Sequence, residues 1–425
     1  MISLVRKVLL CAVFLLSLVW YGSTHFYRDP GSVFFDKTRA FEQRYSTYRM
    51  AEVRQLIHDL KDNSGQQIRR EVPGTNASLC VTSSSVSRKG SSYLETTMVS
   101  LLHGLTGAER KDLYINILNA EINPSDHPSW NEAWLHDAVD RFETYSFSGP
   151  EEEEYIKGLS QKGAYAEKGI YDYTTALRGC LDSGTPYIAF VEDDVLFADG
   201  WMMQALSALG RIPALDNEHR QWLFMRLFNQ ERSMGWAGKG IGENHEYLII
   251  LGIASGVLLA SIVLRQRWRW TRRYLDLETL FVIVTILIPG LVILFYQCGK
   301  ASLLPRSPGV FDEPFGCCSQ ALIFPRESIP LIIEYMQEQK RGQFDLMLDQ
   351  LAAEVGYSRY AMYPVQAQHI GLESARMTER DEAQAIWSMA FEDLKPNVLK
   401  TEHLRLARLR YGSSELFDGT SSNLP

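Results

Sequence analysis

The chain has 425 residues, 46% of them hydrophobic and 22% charged, fractions that exclude a disordered, collagenous or simple-repeat protein. Its 43 Lys and Arg are outnumbered by 51 Asp and Glu, a net charge of -8, so the basic excess of a nucleic-acid-binding domain is missing and no nucleic-acid partner is expected. Mean hydropathy is -0.15, the value of a soluble protein, but that average conceals three apolar runs.

The first run is Val8 to Gly22, preceded by Arg6 and Lys7. No small-x-small cleavage site follows it, and Trp20 and Tyr21 sit where interfacial aromatics belong, so it reads as an uncleaved anchor with a cytoplasmic N-terminus. A charged amphipathic helix within residues 32–72 reads as a stem, ended by Pro73-Gly74, and Asn76-Ala77-Ser78 is a glycosylation sequon at Asn76. An alternation then begins. Leu79 to Ser83 is a strand, Ser92 to Leu105 a helix capped by Ser91 or Ser92, and Asp112 to Ala120 an apolar strand. Trp130 to Val139 is helical, Phe142 to Phe147 a strand, Lys168 to Leu181 a helix, and Tyr187 to Val191 a strand running into Glu192-Asp193-Asp194. This order predicts an α/β sheet wound like a nucleotide-binding half, with ligands at the carboxyl ends of its strands.

The second and third apolar runs are Tyr247 to Leu264 and Leu280 to Tyr296, the latter broken at Pro289-Gly290. Between them RQRWRWTRR carries Arg265, Arg267, Arg269, Arg272 and Arg273, which places that loop in the cytosol. Two buried core helices would not account for five arginines and two tryptophans in one connection. The reading is therefore a three-pass chain: 1–24 cytoplasmic tip and anchor, 25–75 stem, 76–245 first lumenal half, 246–297 membrane hairpin, 298–425 second lumenal half and tail. In the last part Ala321 to Phe324 reads as a strand, Ile329 to Gln339 and Asp345 to Glu354 as helices, and Val365 to Leu372 as extended; the last fifty residues are polar, helical in places, and carry no motif.

Cys11 lies in the anchor, and Cys80, Cys180, Cys298, Cys317 and Cys318 fall in an oxidising compartment. Five is odd, so at least one thiol is left over within the chain, and spacing does not fix the pairing. No CxxC or Cys/His cluster supports zinc.

The acidic triplet carries the chemistry. Each close pair of carboxylates costs about 4 kcal/mol at an effective dielectric constant of 20. A hard divalent cation, Mn²⁺ or Mg²⁺, relieves that repulsion while holding a substrate diphosphate. The bland alternative is a solvated acidic loop after a strand. Glycine-rich phosphate loops and a G-x-S-x-G elbow are both absent, which sets aside Rossmann, P-loop and serine-hydrolase chemistry. His369 reads either as a third ligand or as a core histidine. Asp345 and Asp349 lie four apart on a helix and read either as an exposed acidic stripe or as a cleft pair containing a general base.

The segments LCVTSSSVSRKGSSYLETTMVSLLHGL from Leu79, KGIYDYTTAL from Lys168, YIAFVEDDV from Tyr187, FDLMLDQL from Phe344 and AQHIGL from Ala367 resemble, in order, N-acetylglucosaminyltransferase IV-like GT-A enzymes. With an anchor and a hairpin inside the catalytic domain, the chain more specifically resembles the post-GPI-attachment N-acetylgalactosaminyltransferases, over roughly residues 79 to 375. The resemblance implies a Golgi enzyme (the ER being the alternative) with a GT-A fold interrupted by a membrane hairpin. The implied reaction adds a sugar from a UDP-sugar donor, with inversion and Mn²⁺ (or Mg²⁺) assistance, to the first mannose of a GPI glycan, free or on a GPI-anchored protein. It assigns Glu192, Asp193, Asp194 and His369 to the metal and diphosphate, Ser83, Ser84, Arg88 and Lys168 to the donor, and Asp345 to the base. The triplet departs from a strict DxD, and the tail matches nothing in the family. Two rivals remain, an N-glycan N-acetylglucosaminyltransferase and a non-catalytic membrane adaptor that keeps only the fold.

Overall fold

The computed structural model describes residues 2–62, 77–88, 93–215, 221–232, 236, 245–313, 318–371 and 386–412. It divides into two compact units, Met1–Glu42 with Glu231–Ser307, and Gln43–Gln230 with Pro308–Pro425. Asn76, Ser91, Ser92 and Cys317 lie outside the described residues.

The first unit holds three helices long and apolar enough to cross a bilayer, Ser3–His25, Glu246–Arg267 and Leu277–Gln297. Pro289 has no N–H for the preceding turn, and the helix ladder widens into a π turn over Ile283–Leu287 just before it. A Cβ at Gly290 would stand 2.8 Å from Leu15 Cδ1, so glycine is what lets the first and third helices approach there. At one end Lys7 Nζ donates to Asp276 (2.6 and 2.8 Å) and Glu278 (3.3 Å). At the other, the Val33 N–H donates to the Gln297 carbonyl (2.9 Å) and the Ser302 N–H to Asp29 Oδ2 (2.8 Å). The N-terminus and the arginine-rich turn thus share one end of this unit.

The second unit is a mixed α/β domain. Its sheet has eight strands: β1 (Leu79–Ser85), β2 (Leu113–Asn119), β3 (Arg141–Thr144), β4 (Tyr187–Val191), β6 (Trp222–Arg226), β7 (Gly309–Asp312), β8 (Ala321–Pro325) and β9 (Ser358–Tyr363). The order is β3-β2-β1-β4-β8-β6-β9-β7; β7 and β8 run antiparallel to their neighbours and the rest are parallel. A two-stranded antiparallel ribbon, β5 (Val195–Phe197) with β10 (Ala367–His369), continues directly from the end of β4. Both sheet faces are covered. Along β4, Ala189 and Val191 enter one apolar cluster and Ile188 and Phe190 the other, which is why YIAFV shows no polar alternation. A Cys80–Cys180 disulfide ties β1 to the helix Tyr165–Leu181, while Cys11 and Cys298 are free thiols.

Several elements differ from expectation. The helix Tyr45–Lys61, expected in a stem, buries Tyr45, Val53 and Leu60 in the core of the second unit. Its Arg49 is fully buried, because it bonds the Phe197 and Ser100 carbonyls and pairs with Asp199 at 2.6 Å. β6, β7 and β9 and the helix Pro150–Lys162 are not among the expected elements. That last helix starts at proline with three glutamates in its first turn and ends on left-handed Gly163, cues of a helix with only two buried residues, Ile156 and Leu159. In the tail, the helix Pro396–Tyr411 packs Leu399, Leu406 and Ala407 into the core.

Candidate functional site

The carboxyl ends of β1 and β4 and the amino end of antiparallel β8 open onto one cleft of about 760 Å³. Glu192, Asp193 and Asp194 leave β4 at its floor. Backbone contacts fix this turn: Thr97 Oγ1 donates to the Asp193 carbonyl (2.7 Å) and accepts from the Val195 N–H (3.0 Å), and the Glu192 N–H donates to the Gln320 carbonyl (2.9 Å). Thr97 belongs to the helix Tyr93–Leu102, so a buried hydroxyl positions the acidic turn through the main chain.

The three acids have distinct surroundings. Glu192 accepts from Ser319 Oγ (2.5 Å). Asp193, 4% exposed, accepts from Ser85 Oγ (2.5 Å) and from Arg88 (2.5 Å). Behind Ser85 stands His127: its Nδ1 accepts the Ser129 N–H (3.2 Å), so the neutral ring carries its proton on Nε2, which donates to Ser85 Oγ (2.9 Å). A relay His127 to Ser85 to Asp193 results. Burial first, then the Arg88 charge, lowers the His127 pKa to about 4, which keeps the ring neutral. Asp193 is raised, chiefly by burial, against the pull of Arg88.

Asp194 meets His369, whose Nε2 stands 3.7 Å from Oδ2; the β5–β10 ribbon brings them together, and the Ile370 N–H donates to the Asp194 carbonyl (2.9 Å). Burial works to raise the Asp194 carboxyl, but His369 and Arg88 outweigh it and hold it at about 2. His369 is raised, Asp194 overcoming the effect of burial.

The donors here suit a hard cation. Asp194 Oδ1 is buried with no hydrogen-bond partner among the described residues, an acceptor left over in the cleft. Gly371 closes the site without a side chain: a Cβ there would stand 2.1 Å from Asp194 Oδ2 and 3.0 Å from His369 Nε2. Arg88 meanwhile supplies a positive charge of the protein's own, 2.5 Å from Asp193 and 3.3 Å from Asp194. The cluster of Glu52, His103 and Asp199 elsewhere in the unit has no such spare acceptor in evidence, since Arg49 already reaches all three (2.6 to 3.2 Å).

The other expected residues separate. Asp345, at the start of the helix Phe344–Val355, lines the cleft; its Oδ2 accepts the N–H of Cys318, which adopts a left-handed backbone with φ 86°. Asp349, its possible cleft partner, is instead engaged by Arg226 (3.1 Å) and Arg359 (3.2 Å), because the helix turns that face toward β6 and β9. Ser84 and Arg88 line the cleft, whereas Ser83 is buried and is not one of its walls. Lys168 also lines it, with Nζ bonded to the Ala120 carbonyl (2.8 Å), Tyr145 (2.8 Å) and Asp172 (2.9 Å).

Thr97, His127 and Ser319 carry no sequence signal, since a lone hydroxyl or imidazole in an apolar or mixed stretch has no pattern, and Ser85 falls within the Ser83–Arg88 stretch expected near the donor but bonds Asp193 instead. Arg341, an exposed side chain on the cleft rim that makes no ion pair among the described residues, carries no sequence signal either.

Comparison with known families finds a match to the family described as GPI-N-acetylgalactosamine transferase PGAP4 over residues 79–366, which takes in β1, the acidic turn, the membrane hairpin and Asp345. No curated protein matches the chain.

Proposed function

The chain belongs to the GPI-N-acetylgalactosamine transferase PGAP4 family and is therefore a glycosyltransferase, and from this premise we propose that it transfers N-acetylgalactosamine, or another hexose, from a UDP-sugar to a mannose of the GPI glycan with inversion. The observation that carries the reading is that two carboxyl groups line one cleft: Asp194, held ionised at the end of β4, and Asp345, at the start of the helix Phe344–Val355. The parallel strand ends and the ribbon that follows β4 are consistent with a GT-A arrangement.

In this proposal the donor's diphosphate lies over the acidic turn. Asp194 and His369, with Glu192 beside them, are the residues that would hold Mn²⁺ or Mg²⁺. When bound, that ion would supply Lewis-acid stabilisation of the departing diphosphate. Arg88 keeps Asp193 and Asp194 close despite their like charges, and Ser84 and Arg88 form the wall nearest the nucleotide. Asp345 accepts the proton of the attacking mannose hydroxyl. The hydroxyl oxygen bonds to the anomeric carbon from the face opposite the leaving group, the bond from that carbon to the UDP oxygen breaks, and UDP leaves with its electron pair. One displacement inverts the anomeric centre. We place the enzyme in the Golgi membrane, with both stretches of the catalytic unit in the lumen. A GPI acceptor is itself confined to a bilayer, so a membrane-tethered enzyme searches for it in two dimensions.

Purified full-length protein should release UDP from UDP-N-acetylgalactosamine when a GPI glycan is present, with one hexosamine added to that glycan by mass spectrometry. Absence of both Mn²⁺-dependent UDP binding and sugar transfer with every UDP-sugar tried would overturn the reading in favour of an adaptor.

A further inference from the structure

The arginine-rich turn between the second and third apolar helices takes no part in the reaction above, yet it is a built structure. Thr271, 6% exposed, donates from Oγ1 to the Leu264 carbonyl (2.9 Å) and the Trp268 carbonyl (2.7 Å). Arg272 Nε donates to the Arg265 carbonyl (2.8 Å), and Arg265 in turn bonds the Leu275 carbonyl. Two arginines thus serve to fold the turn. The other three, Arg267, Arg269 and Arg273, make no hydrogen bond or ion pair among the described residues.

The charge at this end of the helices is one-sided. Residues 1–7 and 265–278 together carry seven Lys and Arg against two Asp and Glu, in a chain whose net charge is -8. Both acids, Asp276 and Glu278, are already taken by Lys7 (2.6 and 3.3 Å). Around the free guanidinium groups stand large exposed side chains, Trp270 at 67%, Tyr274 at 64% and Leu277 at 77% exposure. Indole and phenol rings prefer the headgroup layer of a bilayer, and clustered arginines beside a spanning helix attract acidic lipid phosphates. Setting the topology alone requires basic residues in the loop; it does not require that they be folded into a compact turn with their only nearby acids neutralised.

We propose that the turn at residues 265–277 is a binding site for the phosphate headgroups of anionic phospholipids in the cytosolic leaflet, with Arg267, Arg269 and Arg273 as the ligands and Trp270 and Tyr274 seated among the headgroups. The proposal is independent of the sugar-transfer reading. Full-length protein is exchanged from vesicles into detergent, and the lipid it retains is measured by mass spectrometry. The vesicles contain phosphatidylcholine alone, phosphatidylcholine with phosphatidylserine, or phosphatidylcholine with a phosphoinositide. Wild type should retain anionic lipid in preference to phosphatidylcholine. Arg267→Gln with Arg269→Gln and Arg273→Gln should lower that preference by about tenfold or more, and the same three positions changed to Lys should keep most of it. These variants spare the arginines that fold the turn, and an unchanged Tm shows that they have done so. Equal retention of neutral and anionic lipid by wild type, an undiminished preference in the Gln variant, or arginine-dependent capture of a cytosolic protein with no lipid preference would each refute the site.

Discussion

His369 Nε2 stands 3.7 Å from Asp194 Oδ2, although the two membrane-spanning segments of the hairpin lie between them in the chain. The contact is made by one short pairing, His369 opposite Val195 in the β5–β10 ribbon. It joins the last acid of the triplet to a residue that in isolation reads equally well as packing.

Asp194→Asn should lower sugar transfer by about 100-fold or more, the loss expected when an electrostatic donor set loses its charge. Gly371→Ala should do nearly the same without removing a polar atom, because the added methyl would occupy space 2.1 Å from Asp194 Oδ2. Initial rates and UDP affinity check both; an active Gly371→Ala enzyme would show that Asp194 has no fixed position to keep.

Asp345 and Asp349 should part company on mutation. Asp345→Asn should cut kcat by roughly 10²- to 10⁴-fold as a lost general base and leave UDP binding alone. Asp349→Asn should instead cost stability, on the order of 1–3 kcal/mol, because it removes the carboxylate that pairs with both buried Arg226 and Arg359. Thermal unfolding set beside steady-state kinetics distinguishes the two. A kcat effect confined to Asp349 would reverse the assignment.

Arg341, an exposed cation lining the cleft with no ion pair among the described residues, should contribute to holding a substrate phosphate. Arg341→Ala is expected to raise KM for donor or acceptor by about tenfold, with kcat and Tm little changed. Titrating each substrate against a fixed excess of the other shows which phosphate it meets.

The pH dependence of stability should carry the mark of His127. Its pKa is about 4 in the folded protein and near the ordinary 6.5 when unfolded. Below 6.5 the unfolded chain takes a proton that the folded chain refuses, so this residue subtracts stability as pH falls from 6.5 to about 4. The gap in Tm between wild type and His127→Asn should therefore move against wild type across that window. A gap that stays constant with pH would mean that His127 titrates alike in both states.

Reduction of Cys80–Cys180, whose partners are 100 residues apart, should destabilise the catalytic unit by about 2–5 kcal/mol. Both the β1 wall and the Tyr165–Leu181 wall of the cleft are tied by it, so activity in dithiothreitol should fall at temperatures where the oxidised enzyme is still folded.

How much of this was legible beforehand follows from where each signal lies. Membrane helices are written in uninterrupted apolar composition, and β2 and β4 in largely apolar runs, because both of their faces are buried. The acidic triplet stood out because it breaks such a run. The short edge strand β7 depends on a partner distant in the chain, and its four residues look like any mixed segment, whereas β6, with Trp222, Leu223, Phe224 and Met225 in a row, carries an apolar run that was open to reading. Asp349 could not be told from Asp345, since the helix period places both on one side and only tertiary packing supplies Arg226 and Arg359. The helix Tyr45–Lys61 looked like a stem because its buried arginine and tyrosine are polar in composition and apolar only in context.

The strand order also constrains how the enzyme can be made. β6 is synthesised before the hairpin, yet both of its neighbours, β8 and β9, are synthesised after it, and β4 likewise waits for β8. The ribosome therefore delivers a sheet with an open edge and an unpartnered strand, and folding cannot finish until the later stretch has reached the same side of the bilayer. Only an even number of crossings between the two stretches permits that. A hairpin that inserted one helix and not the other would strand the missing strands across the membrane, so assembly of the catalytic unit acts as a check on membrane insertion itself.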